Sequence, residues 1–244
     1  MKTHAISITI TAIAALTFSP THAQDQDLRE MQITPPKFPA KMIMVHGQVA
    51  SSIDEYLTFH VQYPGGSAHK NLLGTEVVRF EVSGTGTLSS FEVINSVSRE
   101  IDEEVIRVLE TTSGNWIPGT IDGAPSSQIR EVSLVFKPSE AYDLVAHARE
   151  YQDKGNRLMF LKKDPKRALR FYNQAIMLLP SEESVLAARC CCKCELGDEQ
   201  GALQDLERIL ALNPDARDHF SEENSDEYFA ELRREVEQAY LATK

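Results

Sequence analysis

The sequence predicts an α+β chain: a small antiparallel sheet with one packed helix, followed by an all-α region of helical repeats. Three observations carry this reading. Apolar residues alternate with period two between Gly74 and Phe136, interrupted by one helical stretch; the helical period runs throughout from Ala141 onward; and Pro180 and Pro214 stand 34 residues apart at the ends of two matching segments. The change of period places a boundary near residue 138.

In the first half, Val78, Phe80 and Val82 lie on one side of a strand from Gly74 to Val82, while Val77, Arg79 and Glu81 lie on the other, the pattern of a half-buried strand. Ser83-Gly84-Thr85-Gly86 supplies the turn into a second strand, Leu88 to Ile94. Ser98 is placed to cap a helix running to about Thr112. Glu100 and Asp102 sit in its first turn, where carboxylates favour the helix dipole, and Ile101, Val105, Ile106 and Leu109 form its apolar stripe. Trp116-Ile117-Pro118-Gly119 and a turn at Asp122-Gly123 lead into a last strand, Ile129 to Phe136, with Val132, Leu134 and Phe136 on its apolar side. Trp116 reads as a core anchor.

The residues Tyr63-Pro64, Ala68, Gly74-Thr75, Phe80, Val82, Gly86, Val93, Ser96, Asp102-Glu103-Glu104-Val105-Ile106-Arg107-Val108, Trp116, Pro118-Gly119 and Gly123-Ala124-Pro125 follow one another in the order and spacing of a known family. Residues 60–138 thus resemble the TonB C-terminal domain. Phe38-Pro39 is similar to the start of the Phe-Pro-Gly-Gly leader of many such domains, with Ala40-Lys41 in place of the two glycines. The resemblance implies an exported protein that meets outer-membrane receptor or transport components by pairing an extended partner segment against a sheet edge. Edge pairing is chemically reasonable, because unpaired backbone N–H and C=O groups accept an extended peptide and alternate side chains select among peptides. The expected edge is Ile129 to Phe136, with Arg130, Glu131 and Ser133 as candidate contacts.

In the helical half, Ala168, Tyr172 and Ala175 precede Pro180 by 12, 8 and 5 residues, and Ala202, Leu206 and Ile209 precede Pro214 by the same distances. Gly155 is one position out of step, which points to an extra residue before or within the first unit's turn. These segments resemble two tetratricopeptide units spanning about 139–214. A further helix in 215–244, striped by Tyr228, Leu232, Val236, Ala239 and Tyr240, is expected to cover the exposed end of the second unit. Between Arg149 and Arg170 eight Lys or Arg face three acids, whereas residues 171 to 244 carry seven against sixteen. Lys162, Lys163, Lys166, Arg167 and Arg170 therefore form a candidate basic face for an acidic partner.

Upstream, Lys2 is followed by the uncharged run Ala5 to Phe18, with small residues at Thr21 and Ala23. Residues 1–23 read as a secretory signal peptide, and the run's 14 residues fall short of the roughly 20 that a membrane-crossing helix needs. Retention as an anchor is the alternative. Residues 24–59 form a lead-in, and the mature chain is expected in the periplasm or cell envelope.

Over 244 residues the net charge is −11, which disfavours general nucleic-acid binding. All four cysteines lie in Cys190-Cys191-Cys192-Lys193-Cys194, so no pair closes a long loop. One straight helix cannot wrap four thiolates around a metal, and Cys190 takes the small helix-crossing position; Cys191, nearer the outer face, is the thiol expected to react or to cross-link two chains. There is no His-Glu-x-x-His, no Gly-x-Ser-x-Gly and no phosphate loop, and no His pair spaced i, i+4. The reading is a non-enzymatic adaptor with no cofactor, no metal, no small-molecule substrate and no catalytic residue, working through protein partners, with self-association left open. A structural envelope scaffold, or a thiol redox or metal-handling protein using Cys190–Cys194, are the alternatives.

Overall fold

A computed structural model describes residues 32–39, 49–62, 72–213 and 225–242, with only the backbone for 225–227; the expected signal peptide and Tyr63-Pro64 and Ala68 lie outside these. The elements, in order, are β1 (Ile33–Thr34), α1 (Ile53–His60), β2 (Gly74–Val82), β3 (Leu88–Asn95), α2 (Arg99–Glu110), β4 (Gly119–Ile121), β5 (Ala124–Ser126) and β6 (Gln128–Phe136). The helical half follows: α3 (Leu144–Asn156), a π-helical turn (Arg157–Leu161), α4 (Pro165–Leu178), α5 (Glu183–Leu196), α6 (Glu199–Leu212) and α7 (Ser225–Ala242).

Strands β3, β2 and β6 form an antiparallel sheet in that order, with β2 central and Val78 opposite Val132. Ser98 caps α2 by accepting a hydrogen bond from the Ile101 N–H. The buried stripe of α2 is Ile101, Val105, Val108 and Leu109; Val108 takes the place expected for Ile106, which is only half-buried. The short strands β1, β4 and β5 form a second sheet that the alternating pattern did not suggest.

The lead-in contributes directly to the core. Ala50, Ile53, Tyr56, Leu57 and Val61 join Val78, Phe80, Val132 and Phe136 in one apolar cluster, and the Phe38 ring lies 5.7 Å edge-on to Trp116. Helix α2 packs on β2 and β3 as expected, and α1 from the lead-in joins it on this face by packing on β6.

The other face of β2 is not left to solvent either. Val77 is 1% exposed and Thr75 is buried as well, because the end of α4 lies against them. The Thr75 hydroxyl donates to the Leu178 carbonyl oxygen at 2.7 Å, and the Asn95 amide donates to the carbonyls of Thr75 and Met177. Helix ends leave carbonyls without intrahelical partners, so the sheet finishes α4 chemically. A Cβ at Gly74, where φ is +142°, would stand 2.8 Å from the Met177 carbonyl oxygen, so only glycine lets the strand and helix approach this closely. The alternation of β2 was legible; its second cover, supplied from a hundred residues downstream, was not. Both halves lie within one compact unit, Gln32–Lys244.

Glu76 sits at this junction, 1% exposed. One carboxylate oxygen accepts the Val97 N–H at 2.8 Å, and the other is buried with no hydrogen-bond partner among the described residues. Burial pushes its pKa up to about 8, with Asp102 adding to the rise and the Val97 N–H opposing it. A carboxyl that stays neutral in the fold but ionises near 4.5 when unfolded stabilises fully below that value and loses the contribution as pH climbs toward 8. Glu76→Gln should therefore melt at a higher temperature than the wild type at pH 8, with the difference closing toward pH 4.5; equal pH slopes for the two proteins would refute this.

In the helical half, α3 packs on α4, α4 on α5 and α5 on α6. Asp164 and Asp198, 34 residues apart, cap α4 and α6 identically, each accepting the N–H three residues on. Ala168, Tyr172 and Ala175 are fully buried, as are Ala202 and Leu206 to within 1%. The extra residue near Gly155 is absorbed by the π-helical turn, where the Lys162 N–H bonds the Arg157 carbonyl five residues back. Gly155 itself faces the Tyr172 ring, which a Cβ would meet at 2.5 Å.

Helix α7 lies across α5 and reaches α3, a wider path than a cover over the end of the second unit. Its Leu232 and Val236 pack beside Ile209 and Val185, and the Tyr240 ring stacks 5.8 Å from Phe160.

Candidate peptide-binding edge

Strand β6 is the last strand of its sheet, paired with β2 alone among the described residues. Its even-numbered side chains point to the α1 face and its odd-numbered ones to the face toward the helical half. The three expected contact residues therefore divide.

Arg130 lies opposite Phe80 on the α1 side, half-buried, and its Nε is buried without a hydrogen-bond partner among the described residues. Glu131 is held between two guanidiniums. Arg208 of α6 donates to both of its oxygens at 2.7 and 2.8 Å, and Arg79 of β2 reaches one at 2.9 Å. Burial would raise the Glu131 carboxyl, but Arg208 and then Arg79 outweigh it and hold it below the usual carboxylate range. Glu131 thus ties the edge strand to the helical half. Ser133 is exposed, opposite Val77.

Two side chains on the odd side of β6 escaped the sequence reading: Ile129, 68% exposed, and Val135, 47% exposed. Both are β-branched residues standing where the period puts polar ones, and that substitution was the available signal. With Ser133 they line a partly apolar strip interrupted by the Glu131 clamp. A strand added outside β6 would extend this strip and place alternate side chains along it.

Residues 60–138 match the family described as Gram-negative bacterial TonB protein C-terminal. The matched TonB-like region is roughly a third of the chain and contains the whole β3-β2-β6 sheet with α2. The match shows a TonB-like domain over these residues; envelope-associated protein–protein contact is a property of that family. No curated protein and no solved structure matches the chain. The core of the TonB-like sheet begins upstream of the match, since Phe38 and α1 pack into it. Among the described residues no helix is long and apolar enough to cross a membrane.

The basic face of the helical half sits apart from this edge. Lys162, Lys163, Lys166, Arg167 and Arg170 are all exposed around the turn into α4, and Arg167 pairs with Asp164 at 3.7 Å.

The thiols are arranged differently from expectation. Cys190, Cys191 and Cys192 are all buried, and Cys194 is the exposed one. Cys191 is 4% exposed because α7 lies over α5, and burial pushes its pKa up to about 12. Cys190 donates to the Ala202 carbonyl oxygen at 3.4 Å; its thiol, beside Cys194, lowers the Cys194 pKa against the opposing effect of burial, while Cys194 and burial raise that of Cys190. Cys194, not Cys191, is therefore the accessible thiol. Iodoacetamide at pH 7 should label Cys194 at least about tenfold faster than Cys191 in the folded protein; peptide mass spectrometry reads the ratio, and equal rates would contradict the assignment.

Proposed function

We propose that the chain is a non-enzymatic adaptor of the cell envelope, exported through residues 1–23, which captures an extended segment of a partner protein along β6. The partners in view are outer-membrane receptor or transport components. The observation that carries this is the position of β6: it is the terminal strand of the TonB-like sheet, with Ser133 exposed and Ile129 and Val135 available to an added strand. Arg130, Glu131 and Ser133 are the assigned positions on this edge, with Glu131 acting through Arg208 to hold the strand in place. The helical half, read as two tetratricopeptide-like units, serves as a second binding module whose basic face, Lys162 to Arg170, meets an acidic surface.

Ser133→Pro tests the edge role, since proline removes a backbone donor while the residue's side chain faces away from the core. Wild type, Ser133→Ala and Ser133→Pro, each checked for unchanged circular dichroism, are used to retain partners from detergent-solubilised envelopes. Retention by the alanine variant and loss by the proline variant is the expected result. Equal retention by all three would remove the sheet edge from the function.

A further inference from the structure

A trough of about 820 Å³ opens between α3, α5 and α7. Its rim carries Asp153, Glu182, Glu183 and Glu235, no lysine or arginine among the described residues lines it, and Ile209 and Leu232 are among the apolar side chains within. The same chain holds a cationic counterpart. Around the turn into α4, Arg157, Lys162, Lys163, Lys166, Arg167 and Arg170 are exposed, with Asp164 as the single acid in that stretch. In their midst Leu161 is 55% exposed, an apolar side chain flanked by cations. An acidic trough with apolar walls and a basic turn with an apolar tip are complementary in both charge and hydropathy.

Within one chain Arg157 stands one helical turn from Asp153 on the near rim, but the lysines of the turn cannot reach Glu182 and Glu183 on the far rim. Lys162 and Lys163 precede the N-terminus of α4, and Glu182 and Glu183 follow its C-terminus. A 14-residue helix separates its ends by about 20 Å, beyond the reach of a lysine side chain. We infer that the trough receives the basic turn, Leu161 to Arg170, of a second copy of this chain in a head-to-tail contact. Such a contact uses two different surfaces, so each joined copy still offers one turn or one trough to the next. The inference rests on the proposed role of the basic turn as a binding face, and it is independent of β6.

The test is the mass of the purified chain by sedimentation equilibrium, at about 20 mM and about 500 mM salt, where screening separates the two conditions. The weight-average mass should rise with protein concentration in low salt and return to the monomer in high salt. The turn variant K162E/K163E/K166E and the trough variant E183K/E235K alter exposed side chains and should each stay monomeric in low salt, with unchanged circular dichroism. An equimolar mixture of the two should recover a 1:1 complex, because the intact turn of one meets the intact trough of the other. Wild type that remains monomeric throughout, a turn variant that associates as wild type does, or a mixture that stays monomeric would each overturn the contact. A poly-glutamate peptide separates the two levels. If it binds wild type but not the turn variant while wild type remains monomeric, the basic face stands and self-pairing falls; if it binds neither and wild type remains monomeric, both fall.

Discussion

Asp205→Ala is expected to lower the stability of the protein by about 3 kcal/mol or more, the cost typical of leaving buried charges without their partner. Asp205 on α6 is 2% exposed and is the anchor between α6 and α5. Its oxygens meet the Arg189 guanidinium at 2.6 Å and the Lys193 ammonium at 2.9 Å, both on α5, and neither cation is more than 18% exposed. Arg189 also donates to Asn173 on α4 and Lys193 to the Gly201 carbonyl, so the carboxylate sits at the centre of a network spanning three helices. Alanine strands two cations at once, whereas asparagine still accepts one hydrogen bond and should cost less. Urea titration of the two variants reads the difference. A loss below about 1 kcal/mol for alanine would place the network in the class of solvated surface pairs.

Trp116→Ala is expected to cost about 3–5 kcal/mol, the range for removing a large aromatic side chain from a packed core. Trp116 is 3% exposed, lies edge-on to Phe80 at 5.4 Å and to Phe38 at 5.7 Å, and donates its indole N–H to the Thr112 hydroxyl at 2.9 Å. The substitution opens a cavity where the lead-in, β2 and the end of α2 meet. Trp116→Phe keeps the ring packing and loses the hydrogen bond to Thr112, so it should retain most of the stability. Equal losses for phenylalanine and alanine would mean that the hydrogen bond, not the packing, carries the effect.

The parts of the molecule that were legible from the residues are those whose signal is local. The alternation in β2, the Ser98 cap and the 34-residue recurrence ending at Pro180 and Pro214 each announce an element through its own side chains. The missing parts depend on distant packing. Nothing near Val77 announces that α4 will bury it, and nothing near Phe38 announces Trp116. Cys191 faces outward on an isolated α5, but α7 returns over that face and leaves Cys194 as the accessible thiol. At the edge itself, Ser133 stands exposed on β6, whereas Glu131 proves to be engaged by Arg208 from a helix 77 residues later. The acidic trough is likewise assembled from α3, α5 and α7, so none of its carboxylates forms a motif in the chain.

The role of β6 as the capture edge is tested most directly by a photo-activated cross-linking residue placed singly at Ser133 and at Ser89, exposed positions on the two outer strands β6 and β3. Irradiated in intact envelopes, the Ser133 protein should form an adduct with a receptor or transport component, mapping to an extended segment of that partner, while the Ser89 protein forms none. Adducts from Ser89 alone, or from neither position while cross-links from the helical half still recover a partner, would contradict capture at β6.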